Sequence, residues 1–312
     1  CPPAPPAPPA PRIMCVPRFK LVVEYNGTRY SGWQIQKNAR TIQGEIDRAV
    51  RQVTGRIDFE LYGSGRTDAG VHAVGQVAHL DVSTNLPPAT LLGRLNDELP
   101  ADINLLAASV VPHRFHARHH AVARRYLYQI ALRRAALAKP FVWWVKEPLA
   151  LARMQEAARA FLGMRDFRSF AARDAQGARN GRQTEGAESN GPLAPPERIA
   201  GRRAREANEE ESTLVLIDRL DVVPDGDLLL VVVEGSHFLW KMVRRMVGVL
   251  VEVGRGGTSP EQVAALTRPG AVPDALLPAR LTAPASGLFL ERVFYEGVPR
   301  EAPLGPAFLR LS

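Results

Sequence analysis

The sequence predicts an α+β protein whose strands pair mostly antiparallel. Three observations carry this. Apolar and polar residues alternate in several short stretches, the period of a half-buried strand. Stretches with helical spacing and capping residues lie between them. Strand candidates are joined by tight turns such as Pro224-Asp225-Gly226, which favour an antiparallel sheet over a doubly wound parallel one.

Phe19, Leu21, Val23 and Tyr25 alternate with Lys20, Val22 and Glu24, so the first strand has one strongly apolar face, and Asn26-Gly27 turns the chain. Thr41 is suited to cap a helix carrying Ile42, Ile46, Ala49, Val50 and Val53. Gly75–Val82 reads as a strand, and Ala89–Leu99 as a helix stopped by Pro100. Tyr126, Tyr128 and Ile130 alternate with Leu127 and Gln129 in another strand, and Leu151–Leu162 is a helix closed by Gly163. Thr213–Leu220 and Asp227–Glu234 make a strand pair. A helix from about His237 to Val253 places Leu239, Met242, Val243, Met246 and Leu250 on one face and ends at Gly254. Ser259-Pro260-Glu261-Gln262 opens a short helix with N-cap Ser, Pro at the first position and Gln at N3. Gly287–Tyr295 is the last strand.

The chain has 312 residues, 46% hydrophobic and 23% charged, with a net charge of +8. That length buries a large core and suggests about two lobes. No apolar run reaches the roughly 18 residues of a membrane span. Cys1 and Cys15 are too few for a disulfide framework or a four-cysteine zinc site. Residues 1–13 are a Pro/Ala-rich segment rather than a signal peptide, and Met14 precedes the first strand pattern. The stretch 174–211 has few large apolar residues and reads as a disordered loop insertion. It holds six Lys+Arg and eight Asp+Glu, so the remainder of the chain carries +10. The expectation is a soluble, cytoplasmic protein whose folded part meets an anionic partner such as nucleic acid.

The most unusual segment is Gly63-Ser64-Gly65-Arg66-Thr67-Asp68-Ala69-Gly70-Val71-His72-Ala73. Its glycines imply close backbone approach or positive φ. A dinucleotide fingerprint needs glycine where Asp68 stands, and a phosphate loop needs Gly-Lys-Ser/Thr, so neither fits. The bland reading is a turn in which Asp68 pairs with Arg66. The functional one is an ionised carboxylate on a rigid loop, able to act as a covalent nucleophile.

The run GSGRTDAGVHAVGQVAHL closely resembles the signature of the tRNA pseudouridine synthase A family. So do Tyr25-Asn26-Gly27 with Ser31-Gly32-Trp33-Gln34-Ile35-Gln36, and Phe115-His116-Ala117-Arg118 with Ala123-Arg124-Arg125-Tyr126-Leu127-Tyr128. Phe238–Gly248 and the run Ala283 to Leu290 complete five motifs in family order between about residues 18 and 295. The Pro-rich N-terminus and the 174–211 insertion depart from the family pattern and touch no motif.

The resemblance implies isomerisation of uridine to pseudouridine at positions 38, 39 and 40 of the tRNA anticodon stem-loop, without cofactor or metal, by a homodimer. It implies the pseudouridine synthase fold, two similar lobes whose strands form an extended, mostly antiparallel sheet flanked by helices, with RNA in a positive cleft. The expected organisation is an extension over 1–17, a catalytic lobe over 18–115, a second lobe over 116–300 holding the insertion, and a tail over 301–312. By motif, Asp68 is the catalytic residue and Tyr126 the substrate contact. Arg66 is expected to fill the space a flipped base vacates, Arg244 to keep Asp68 ionised, and Leu288 to floor the ring. Arg124, Arg125, Arg29, Lys37, Lys241 and Arg245 are candidates for the RNA backbone.

Taken singly, Tyr126, Arg244 and Leu288 are ordinary strand, helix-surface and core residues, and Trp33, Trp143, Trp144 and Trp240 are packing residues, although an exposed one could stack on RNA. His113, His116, His119 and His120, placed on a strand, alternate faces and make a poor metal site. His72 is better suited to a structural hydrogen bond than to phosphate. Three rivals remain at this point. One is an RNA-binding protein or chaperone of this fold without turnover. Another is a pseudouridine synthase with different RNA specificity. The third is a nucleotide-dependent enzyme, which the missing phosphate loop disfavours.

Overall fold

The computed structural model describes residues 16–172, 212–268, 278–301 and 305–307. Of the stretches expected to be disordered, 1–17 and 174–211, residues 1–15 and all of 174–211 lie outside these. The described residues divide into two compact units, one ending at Ala121 and taking in Tyr295–Gly297, the other running from Val122 to Phe294 and resuming at Val298. Together they carry ten strands and five α-helices, an α+β fold.

The first unit holds β1 (Arg18–Tyr25), α1 (Ile42–Thr54), β2 (Glu60–Gly63), β3 (His72–Asp81), α2 (Pro88–Glu98) and β4 (Ile103–Val111). The strand order is β4-β1-β3 with β2 also on β3, and every pairing is antiparallel. The alternation predicted for β1 is realised: Phe19, Leu21, Val23 and Tyr25 are buried with Ile42, Ile46, Ala49 and Val50 of α1 and Leu91 and Leu95 of α2. Thr41 caps α1 by accepting the Gly44 N–H at 3.2 Å, and Gly55 ends it at φ +65°. Arg18 and Asp81, direct partners across β1 and β3, form an ion pair.

The second unit holds β5 (Ala121–Ala131), β6 (Trp143–Trp144), α3 (Leu151–Arg159), β7 (Gly163–Asp166), β8 (Leu214–Asp225), β9 (Leu228–Gly235), α4 (Met242–Arg255), α5 (Pro260–Leu266) and β10 (Leu288–Tyr295). Its strand order is β10-β5-β9-β8-β7, with the short β6 parallel to the end of β5. The turn between β8 and β9 has Gly226 at φ +59°. α4 is buried along almost its whole length, and α3 packs on it and on α5. Ser259 and Gln262 form the expected capping box of α5.

Helix boundaries differ from expectation in α3 and α4: α3 ends at Arg159 with Ala160 as its cap rather than at Leu162, and Gly163, at φ +82°, opens β7 instead of closing the helix. α4 begins at Met242 rather than near His237, and it runs through Gly254 to Arg255, with Gly256 as the left-handed cap at φ +84°. Gly254 answers to packing instead: a Cβ there would lie 2.8 Å from the Met154 sulfur. No helix among the described residues is long and apolar enough to cross a membrane.

Candidate active site

The Asp68 loop joins β2 to β3, and the segment just after β1 holds it from one side. The Trp33 N–H donates to the Thr67 carbonyl at 3.1 Å, and the Gly70 N–H donates to the Tyr30 carbonyl at 3.2 Å. The Tyr25 hydroxyl and the Thr67 hydroxyl hydrogen-bond at 2.8 Å in the core. Gly32, at φ +94°, lies so close that a Cβ would come within 2.5 Å of the Thr67 carbonyl and 3.1 Å of the Asp68 carbonyl carbon. At Gly27 a Cβ would sit 1.9 Å from the Val71 carbonyl oxygen. His72 is buried and accepts the Gly27 N–H on Nδ1 at 3.1 Å, the structural role expected of it.

β3 holds the loop from the other side. Buried Gln76 accepts from the Ser64 hydroxyl at 2.6 Å and donates to the Gly65 carbonyl at 3.0 Å. Within the loop, Gly70 takes φ +78° and the Val71 N–H closes on the Asp68 carbonyl at 3.1 Å. Thr67 is therefore buried, Asp68 half-buried and Arg66 exposed on a backbone with little freedom. Sequence reasoning named Asp68 but not the residues that hold it. Their signal was present in the glycines at 27 and 32 and the aromatics at 25, 30 and 33. A substitution at Gly32 tests this support: Gly32→Ala is expected to lower kcat about 100-fold, the cost of displacing a reacting group by about 1 Å. Single-turnover rates at saturating substrate check it.

The second group of residues is also locked. Tyr126 is half-buried on β5 and meets the Phe238 ring edge-on, with centroids 5.1 Å apart. Arg244, on the first turn of α4, donates from Nε to the Ala283 carbonyl at 2.8 Å, and the Ala283 N–H returns a bond to the Arg244 carbonyl at 3.0 Å. The loop ahead of β10 crosses α4 so closely that a Cβ on Gly248 would fall 1.5 Å from the Leu281 oxygen. The Tyr128 hydroxyl donates to the Pro284 carbonyl at 2.8 Å, and Gly287 packs against the Tyr128 ring. Leu288 then enters β10 buried.

The basic candidates separate on exposure. Arg29 and Lys37 are exposed, Arg124 is half-buried and donates to the Ser236 carbonyl at 2.7 Å, and Lys241 lies 4.6 Å from the Trp240 ring centroid. Arg125 is corrected. It is 1% exposed, ion-paired with Glu234 at 2.9 Å and stacked on Phe294. Its charge is spent inside the unit and does not reach an RNA backbone. Arg245 is 9% exposed and, unlike Arg125, has no ion pair among the described residues.

His113, His116, His119 and His120 lie in the turns between β4 and β5, not on a strand. The His116 ring is tilted against those of His79 and His119, with centroids 4.6 and 4.2 Å away. Burial first, then neighbouring positive charge, pushes both His79 and His116 down to about 4. Trp33 and Trp143 are packing residues as expected, whereas Trp144 and Trp240 are each 42% exposed.

These features define a class of protein: an α+β fold that presents one carboxylate on an immobilised glycine-rich loop and a tyrosine on a central strand. A family described as tRNA pseudouridine synthase matches residues 21–120 and 200–296, and the chain belongs to it. It is 39% identical over 288 residues to a protein of Rhodopseudomonas palustris (strain BisA53) named tRNA pseudouridine synthase A, covering 90% of this chain and 100% of that one. Proteins of the same name from Agrobacterium fabrum and Geobacter sulfurreducens are 36% and 38% identical, covering 92% and 88% of this chain and 97% and 98% of theirs.

Proposed function

We propose that this chain isomerises uridine to pseudouridine at positions 38, 39 and 40 of the tRNA anticodon stem-loop, with Asp68 as the nucleophile. The observation that carries this reading is the fixed placement of Asp68, on a loop pinned by Trp33, Tyr30, Tyr25 and Gln76 inside a segment the family matches. In the isomerisation the N1–C1′ bond breaks, the uracil turns, and a C5–C1′ bond forms. A proton leaves C5 and one is gained at N1, so the step is redox-neutral and calls for no cofactor.

A base within a stem must leave its stack before reaction. Tyr126 supplies a ring for the extruded uracil, Leu288 an apolar floor, Arg244 a cation for the substrate, and Arg66 a group for the vacated space. Arg29, Lys37, Arg124 and Lys241 serve the phosphates. A binder without turnover has little use for a carboxylate held on a rigid loop two residues from Arg66, so it is the weaker reading. The family likeness also implies a cytoplasmic homodimer, a reading that sedimentation of the purified protein decides for assembly.

Site mapping tests the reaction. Purified protein is incubated with unmodified tRNA bearing uridine at the three positions, then treated with a carbodiimide and reverse-transcribed. Stops at those positions are expected. Tight tRNA binding with no stop anywhere would overturn the proposal in favour of a binder.

A further inference from the structure

α4 opens against the electrostatic preference of a helix. Its first turn has no acidic residue, its N-cap Lys241 sits at φ +61° without a side-chain cap bond, and Arg244 and Arg245 follow at once. A helix N-terminus attracts anions, so cations there oppose the dipole.

Arg245 is the sharper anomaly. It is 9% exposed, its Nε is buried without a hydrogen-bond partner, and among the described residues its guanidinium meets no carboxylate within ion-pair distance. Burial, and then the adjacent Arg244, both disfavour its charged form. A buried polar group without a partner destabilises a fold. Trp240, the residue before the N-cap, is 42% exposed, with the Lys241 ammonium over its ring. Its position is fixed: the Trp240 carbonyl accepts the Ala172 N–H at 2.9 Å.

We infer that the head of α4 is a seat for an RNA backbone phosphate, held by Arg245 and Lys241, with Trp240 stacking the neighbouring base. This rests on the reading of the chain as an RNA-modifying enzyme. A phosphate supplies the counter-charge that Arg245 lacks, and the guanidinium fork matches its oxygens. An exposed indole accepts any base face, which makes an RNA strand a better occupant than a free anion. The free protein thereby gives up stability that the complex recovers.

Arg245→Met tests the inference through binding and stability rather than turnover. Its melting temperature without RNA is expected to rise, since the buried, unpartnered Nε is gone. Its Kd for tRNA should weaken about 10-fold near 0.1 M salt, and the slope of log K against log salt should shrink by about 0.7 to 0.9, the share of one phosphate. Arg245→Lys should restore the slope, and Trp240→Ala should cost roughly 10-fold in affinity at unchanged slope. A fall in melting temperature for Arg245→Met would mean that the arginine serves an internal partner, and would overturn the inference. So would an unchanged tRNA affinity and slope, even if inorganic phosphate stabilises the wild type. Turnover of the wild type is scored separately by site mapping. An inactive wild type removes the reading beneath the inference, whereas an unchanged slope in an active enzyme removes the inference alone.

Discussion

Asp68→Asn is expected to abolish isomerisation while leaving the protein folded and bound to tRNA. The substitution is nearly isosteric and removes the negative charge and nucleophilic oxygen that a covalent step needs. The loop bonds that place residue 68 come from backbone atoms of Thr67, Gly70 and Val71 and from the side chains of Thr67, Ser64 and Gln76. None of these bonds is made by the carboxylate itself, and each remains available to an asparagine at this position. A loss of about four orders of magnitude or more in single-turnover rate is expected, the scale on which enzymes respond when a nucleophile is removed. Reverse-transcription stops should vanish, with the melting temperature within a few degrees of wild type and the tRNA Kd changed by less than about threefold. Retained turnover would move the nucleophile elsewhere. Lost turnover together with lost tRNA binding would mean that Asp68 organises the RNA site rather than attacking substrate.

That Asp68 stood out in the sequence has a physical cause. Three glycines around an Arg and an Asp are incompatible with a buried strand or an amphipathic helix, so local composition alone marks the loop. What holds the loop was less legible, because support from Gly32 and Trp33 is a contact between segments far apart in sequence. β4 went unpredicted because its outward residues Leu106 and Val110 are themselves apolar and exposed, which erases the alternation. Gly254 was read as a helix end because glycine most often marks one. Here the space beside Met154 claims it, and Gly256 takes the left-handed cap two residues later.

Arg125 was misread for a related reason. Next to Arg124 in sequence it appears as one more surface cation, and only the β5–β9 register shows that it stands directly opposite Glu234. The two side chains, 1% and 4% exposed, pair at 2.9 Å, while Arg300 approaches the other oxygen of Glu234 at 3.5 Å. Glu291 lies 4.0 Å from the same guanidinium. Burial holds the Glu291 carboxyl above its usual range, and Arg125 partly offsets this.

Arg125→Met therefore leaves two carboxylates short of their cation inside the second unit, with Arg300 as partial compensation for one. Breaking a buried pair on one side costs about 3–5 kcal/mol, which for a chain of this size lowers the melting temperature by roughly 10 °C. The deficit should depend on pH with a definite sign. A carboxyl whose native pKa lies above its unfolded value binds its proton more tightly when folded, so its cost is relieved as pH falls through the native pKa toward the unfolded one. Removing Arg125 raises the native pKa of Glu291 further. The gap between variant and wild type should then be widest near pH 8 and should narrow toward pH 5, as read by thermal unfolding across that range. Arg125→Lys should recover only part of the loss, because an ammonium cannot bridge the Arg300 carbonyl and Glu234 with the same fork. A deficit that stays constant with pH would place the cost in lost packing on Phe294 rather than in the stranded carboxylates. A variant as stable as wild type but weakened in tRNA binding would return Arg125 to the RNA contacts from which its burial removes it.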